Sequence, residues 1–356
     1  MLHLQPKHFA GSLLLFLTSF CLCLQAQDKP HIVVIATGGT IAGANTSSIR
    51  SPAFQAAVVP VDRMLAAVPE IQKIARVTGE QIFQVPSENF TDERLIKLGK
   101  RVSELLKKSD VDGIVITHGV DTMEETAYFL NLTLKSTKPV VLVGAMRAST
   151  QLGSDGAANL HDAIAVAASK EAIGKGTLVS MNDEIYSARD VTMSNTVKLE
   201  TLRSTYGPLG LIIEGKVLFY RQSTRPHTVA SEFDIDKLTT LPRVDIVYNY
   251  GNVSPVAYEA LVNAGAKAII HNGTGNGSVA EQIIPVLQDI RSKGVHVVRA
   301  SRTGNGIVTR DGEQPDDRFD WLVTGDQSPQ KARILMALAL TKTGDRQTLQ
   351  DILWKY

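Results

Sequence analysis

The sequence predicts an α/β protein of two domains, with mostly parallel sheets flanked by helices on both faces. Three observations predict it. Apolar, β-branched runs of strand length end in glycine-containing turns. Amphipathic segments of helical period alternate with them. The alternation occurs in two blocks, separated at 221–242 by a stretch with little periodicity.

The first strand lies in Ile32–Gly43, which reads Ile-Val-Val-Ile-Ala-Thr-Gly-Gly-Thr-Ile-Ala-Gly. Its first half is apolar and breaks at Gly38-Gly39, where backbone closed to other residues becomes accessible. Thr40 follows, so a hydroxyl sits at the carboxyl end of a buried strand, where open α/β sheets bind ligands. Residues 44–59 are rich in Ser, Ala, Asn and Pro, the composition of a lid-like loop. Val61–Val68 reads as a helix stopped by Pro69. Ile71–Val85 carries alternating apolar residues. Thr91–Lys108 has helical period, with Thr91 as N-cap. Ile114–Gly119 is a second buried strand, Asp121–Leu134 a helix, Pro139–Gly144 a third strand, Asn159–Ala172 a helix and Gly176–Met181 a strand. The second block gives strands at Val244–Tyr248, Ala268–His271 and Val295–Arg299. Its helices fall at Ala257–Ala264, Val279–Lys293, Lys331–Thr341 and Gln347–Trp354.

Composition excludes some classes. The chain has 356 residues, 44% hydrophobic and 21% charged, with 37 Lys plus Arg against 36 Asp plus Glu. No global field favours nucleic acid or an acidic membrane, and no stretch interleaves basic and aromatic residues. Lys7, the apolar run Phe9–Leu24 and Ala26 read as a secretory signal over 1–26, with an uncleaved anchor as the alternative. Both cysteines, Cys21 and Cys23, lie inside it. A mature chain without cysteine has no disulfide framework and no cysteine metal site. An exported, periplasmic protein is the simplest expectation.

Several runs carry a resemblance. Ala36-Thr-Gly-Gly-Thr-Ile-Ala-Gly43 and Ile116-Thr-His-Gly-Val-Asp-Thr-Met-Glu-Glu-Thr-Ala127 resemble the two signatures of the bacterial type II L-asparaginases. Supporting runs include Lys138–Arg147, Met181-Asn-Asp183, Arg189-Asp-Val191, Tyr206–Gly210, Gly275-Asn-Gly277 and Pro329–Arg333. Gln314-Pro-Asp-Asp317 and Asp320-Trp321 are similar to the periplasmic glutaminase-asparaginases. The resemblance spans the chain after the signal. It implies an N-terminal domain over 27–220, a linker over 221–242 and a C-terminal domain over 243–356. It also implies a homotetramer with sites shared between subunits, and hydrolysis of the Asn or Gln side-chain amide through an acyl-threonine, with no metal and no cofactor.

By the same resemblance Thr40 stands at the nucleophile position. Ser87, Glu88 and Asp121 stand where the family holds the substrate's α-carboxylate and α-amino groups. Asn276 and Glu313 stand where a neighbouring subunit contributes residues. Three carboxylates suit an ammonium, while hydroxyl and N–H groups suit its carboxylate. Ligands of this kind are Asn, Gln, Asp or Glu; no nucleic acid is expected, and no membrane once the signal is removed.

The chemistry positions depart from the family. Val120 replaces a Thr, Met193 a Lys and Phe54 a Tyr. Each keeps roughly the replaced shape and drops the polar head, so fold and pocket outline are expected to survive. A threonine hydroxyl is a poor nucleophile until a base takes its proton, and one positioned proton-transfer group is worth about 10²–10⁴-fold. Ala148 and His161 depart as well, from Pro and Tyr. Two functions therefore compete: an amidohydrolase with strongly impaired turnover, and a non-hydrolysing protein that binds small acidic or amide amino acids. Nucleotide binding by Thr37-Gly-Gly-Thr40 is a third, but the glycine spacing is not G-x-G-x-x-G and no P-loop lysine follows.

Overall fold

A computed structural model describes residues 1–2, 29–45 and 55–356. The signal expected over 1–26, apart from its first two residues, and Phe54 lie outside the described residues.

Among the described residues the first block forms ten strands: β1 (His31–Gly38), β2 (Arg76–Val85), β3 (Gly113–Thr117), β4 (Val140–Val143), β5 (Thr177–Met181), β6 (Glu184–Ser187), β7 (Val191–Met193), β8 (Leu202–Ser204), β9 (Gly210–Ile213) and β10 (Lys216–Phe219). Eight make one sheet, in the order β10-β9-β6-β5-β4-β3-β1-β2, and β7 pairs with β8 apart from it. From β2 to β5 every pairing is parallel.

The helices of this block are α1 (Val61–Ala66), α2 (Ile71–Ile74), α3 (Asp92–Leu106), α4 (Met123–Thr133) and α5 (Gly156–Ala168). Side-chain alternation along β1 shows why both sheet faces are covered. Ile32, Val34 and Ala36 join one apolar cluster with residues of α1, α2 and α5. Val33 and Ile35 join another with residues of α3 and α4.

Several expected elements begin elsewhere. The Ile71–Val85 segment opens with the single turn α2 before β2. The helix expected from Asp121 starts at Met123, because Val120–Thr122 is a 3₁₀ turn. Thr91 does cap α3, its Oγ1 accepting from Arg94 N at 3.3 Å. The expected Asn159–Ala172 helix begins three residues earlier, at Gly156, and ends at Ala168.

Residues 221–242 carry two 3₁₀ turns, Thr228–Ala230 and Ile235–Lys237. The second block has strands β11 (Val244–Tyr248), β12 (Ala268–Gly273), β13 (His296–Ser301) and β14 (Leu322–Val323), parallel and in that order. Its helices are α6 (Val256–Asn263), α7 (Ile284–Ser292), α8 (Asp316–Phe319), α9 (Pro329–Ala339) and α10 (Arg346–Lys355). The expected Val279–Lys293 helix contracts to α7, which starts beside Pro285. α9 begins at Pro329 under a Ser328 cap, two residues before the expected Lys331.

One apolar cluster joins the blocks. It holds Ala127 and Leu130 of α4, Leu335 and Leu338 of α9, and Ile270 and Val298 of the four-stranded sheet. α9 is thus buried between that sheet and α4. Polar bonds pin the same junction: Gln330 Nε2 donates to Glu124 Oε1 at 2.8 Å, and Arg189 pairs with Asp326 at 2.6 Å.

Candidate active site

Strands β2, β1, β3 and β4 lie side by side, so their carboxyl ends share one sheet edge. The winding reverses at β1, because β2 lies on one side of it and β3 on the other. That switch point is where open α/β sheets leave a crevice for ligands. Thr40 follows β1, Ser87 and Glu88 follow β2, and Val120 and Asp121 follow β3.

Glycines let these loops touch. Gly38 and Gly39 have φ of +117° and +78°. A Cβ on Gly39 would lie 2.3 Å from Gly119 N, and one on Gly119 would lie 2.6 Å from Ser87 Oγ. Three strand ends are therefore stacked through backbone. Thr122 Oγ1 donates to the Ser87 carbonyl at 2.8 Å, tying the turn after β3 to the turn after β2.

The side chains sort by exposure. Ser87 is 2% exposed, yet its Oγ has no hydrogen-bond partner among the described residues. Buried polar atoms are nearly always paired, so this hydroxyl has a hydrogen bond still to make. Glu88 and Asp121 are exposed and Thr40 is half-buried. The Thr40 turn is held by backbone bonds, Gly43 N to Thr40 O at 2.8 Å and Gly39 N to Val85 O at 3.1 Å, and by Ser149 Oγ donating to Gly43 O at 2.9 Å. Val120 is 5% exposed and belongs to the apolar cluster under α4.

His118 is buried behind this edge. Its Nδ1 lies 2.7 Å from the Gly119 carbonyl and its Nε2 lies 3.0 Å from Thr126 Oγ1. Burial pushes its pKa down to about 4, so the ring is neutral at ordinary pH. It braces the loop that carries Val120 and Asp121. Neither His118 nor Thr122 is singled out by spacing alone, since both stand inside a signature with several polar residues.

Met193 ends β7 and packs partly buried against the larger core cluster. It also lines a cleft of about 700 Å³ with Asn272, Arg302, Gln327 and Lys331. None of Thr40, Ser87, Glu88, Val120 or Asp121 lines that cleft. Lys331 Nζ is buried there, donating to the carbonyls of Arg189 (2.9 Å) and Val191. Burial pushes the Lys331 pKa down to about 8. Ala148 is buried, while His161 is partly exposed with Nδ1 3.0 Å from Asp162 Oδ1.

Asn276 and Glu313 form a second group. Asn276 Oδ1 accepts from Thr309 N at 2.8 Å, and its Nδ2 donates to Ile307 O at 3.1 Å. Ser278 Oγ donates to Glu313 Oε2. Among the described residues no hydrogen bond joins this pair to Thr40, Ser87, Glu88 or Asp121. No group of three or more His, Cys, Asp or Glu with metal-holding geometry occurs among the described residues. No helix among them is long and apolar enough to cross a membrane.

Comparison with known proteins shows the family of the chain. The model for "Asparaginase, N-terminal" matches residues 31–225, and that for the "Glutaminase/Asparaginase C-terminal domain" matches residues 243–353. The chain is 51% identical to a glutaminase-asparaginase of Pseudomonas fluorescens biotype A, covering 98% of this chain and 99% of the relative. It is 54% identical to a glutaminase-asparaginase of Pseudomonas aeruginosa, covering 93% and 91%. The crystal structure of a probable cytoplasmic L-asparaginase from Campylobacter jejuni superposes with a TM-score of 0.89 at 44% identity, over 92% of this chain and 100% of that one. The chain belongs to the asparaginase/glutaminase family of amidohydrolases.

Proposed function

We propose that this chain binds Asn, Gln, Asp or Glu at the β1–β3 switch point and hydrolyses the side-chain amide only weakly. The observation that carries the reading is the contrast around Thr40. The binding side is polar: Ser87 Oγ is unpartnered, and Glu88 and Asp121 are exposed beside it. The side that would have to move protons is apolar, with a buried Val120 in the same turn as Asp121.

The family's reaction needs Thr40 Oγ to attack the amide carbon, its proton to leave, ammonia to depart, and water to release Asp or Glu from the ester. Ser87 would hold the ligand carboxylate, and Glu88 and Asp121 its ammonium. Asn276 and Glu313 would complete the site of a neighbouring copy in a homotetramer. Val120, Met193 and Phe54 supply no hydroxyl or cation for the proton steps. Little turnover with retained binding follows, and a protein that binds without hydrolysis is the limiting form of the same reading. The domain division at 27–220, 221–242 and 243–356, and export to the periplasm after removal of 1–26, belong to this proposal.

Ammonia release from Asn and Gln tests it, comparing the mature chain with the triple variant F54Y/V120T/M193K. The restored variant is expected to be faster by about 10²-fold or more. Equal rates would remove the impaired-turnover reading. Calorimetry with Asp and Glu tests binding: neither heat nor thermal stabilisation with any of the four amino acids would remove the site assignment.

A further inference from the structure

We propose that Arg299 is the positioning residue that presents Asn276 and Glu313 as one ligand-binding unit; this rests on the roles given to those two residues above. Arg299 lies on β13 and is 0% exposed. Its guanidinium has five N–H donors in a fixed planar fork, and each has an acceptor. Nε donates to Asp316 Oδ1 at 2.6 Å, and Nη2 to Asp316 Oδ2 at 2.5 Å. Nη2 also donates to the Thr309 carbonyl at 3.0 Å. Nη1 donates to the carbonyls of Asn276 at 3.0 Å and Gly277 at 3.1 Å.

These acceptors belong to two loops. One is the turn after β12 that carries Asn276. The other runs from Thr309 to Asp316 and carries Glu313 between two residues that both bond to Arg299. Asp316 also closes its own loop, accepting from Asp311 N at 2.9 Å. Direct links run between the loops as well, from Thr309 N to Asn276 Oδ1 and from Ser278 Oγ to Glu313.

The Asn276 turn is held along its whole length. Gly273 O accepts from Arg302 N at 3.0 Å, Thr274 O from Ser278 N at 2.8 Å, and Gly275 O from Ser301 Oγ at 2.5 Å. Ser278 O lies 3.0 Å from Nε2 of the buried His271. Burial holds the His271 pKa down at about 4, so the ring is neutral and Nε2 carries the proton given to that carbonyl. Every carbonyl from Gly273 to Ser278 therefore has a donor, and Arg299 supplies two of them. A lysine at 299 could neutralise Asp316, but three rotatable donors on one nitrogen cannot reach all five acceptors.

Binding of L-aspartate and of succinate, which lacks the amino group, tests this on the mature full chain. Wild type is expected to prefer aspartate, because Glu313 would join Glu88 and Asp121 of the neighbouring copy as the third carboxylate around the ligand ammonium. R299K retains a cation beside Asp316 and is expected to melt cooperatively. Its aspartate-over-succinate preference should fall about tenfold or more, as the charged contact at Glu313 slackens. E313Q should show the same loss, and the double variant R299K/E313Q no further loss. A folded R299K with wild-type preference overturns the proposal. Complete loss of folding in R299K also overturns it, by making Arg299 a fold determinant. If wild type binds neither compound, or E313Q keeps full preference, the site assignment itself fails, independently of R299K.

Discussion

Thr122 Oγ1 donates a 2.8 Å hydrogen bond to the carbonyl of Ser87. The bond crosses from the turn after β3 to the turn after β2, and both turns carry exposed carboxylates, Asp121 and Glu88, which the proposal places around the ligand ammonium. Thr122→Val keeps the shape and removes the donor. A net hydrogen bond is worth about 1 kcal/mol, so stability should fall by that order. Affinity for aspartate should fall further than stability alone explains, because Ser87 and Asp121 lose their fixed separation. Calorimetry alongside denaturant unfolding checks this; unchanged affinity would show that the two turns are held by other contacts.

Gly39 should tolerate no side chain. Its φ of +78° is one that L residues rarely adopt, and a Cβ there would lie 2.3 Å from Gly119 N, a backbone atom. Gly39→Ala is expected to cost about 3 kcal/mol or more, from strain and overpacking together. Gly251 is the control, since nothing lies within 4 Å of its added Cβ. Gly251→Ala should stay within about 0.5 kcal/mol of wild type. Thermal melts of the two variants decide it, and equal melting temperatures would contradict the close loop stacking.

The parallel core was legible because β1, β3 and β4 are buried on both faces and read as unbroken apolar runs. The antiparallel edge carried weaker marks. β5 and β6 meet at Asn182-Asp183, with φ of 54° and 63°, and β9 and β10 at Glu214-Gly215, with φ of 51° and 76°. These are two-residue hairpin turns of the kind that suit twisted strands. β6, β9 and β10 are four residues each, too short to show a period, and β9 and β10 are only partly buried. The meeting of Thr40, Ser87 and Asp121 at one sheet edge was legible because they follow parallel strands, whose carboxyl ends share that edge. The Arg189–Asp326 and Arg299–Asp316 pairs were not legible. Their partners are separated by 137 and 17 residues, and a charged residue in sequence gives no sign of being buried.

Lys331 gives the chain an alkaline signature. Burial lowers its pKa from 10.5 to about 8. Between these values the unfolded chain binds the proton and the folded chain does not, so stability rises with pH across that window. The rise from this group is about 3 kcal/mol by linkage. It is complete near pH 10.5 and absent below pH 8. Lys331→Met should remove it while leaving other titrations common to both proteins. Denaturant unfolding at pH 7.5, 8.5 and 9.5 reads the difference between wild type and variant. That difference should move in favour of wild type as pH rises; a constant difference would mean that the ammonium is better solvated than its surroundings indicate.

Arg189 reaches across the two blocks. Its Nη1 and Nη2 donate to Asp326 at 2.8 and 2.6 Å, its Nε donates to Tyr356 O at 2.8 Å, and Tyr206 OH donates to Asp326 at 2.8 Å. The arginine is almost fully buried, so losing the Asp326 charge leaves it only the longer 3.3 Å contact to Asp190 Oδ1 and little solvent. Asp326→Asn is expected to destabilise by about 3 kcal/mol, in the range for breaking one side of a buried pair. Arg189 is four residues before Met193, and its carbonyl is one of the two held by Lys331. The same variant should therefore blunt the gain in ammonia release from the F54Y/V120T/M193K changes, since a lysine at 193 would stand on a loosened β7. Unfolding curves read the first effect and ammonia release in the quadruple variant reads the second. Full gain with a destabilised fold would show that β7 is positioned independently of Arg189.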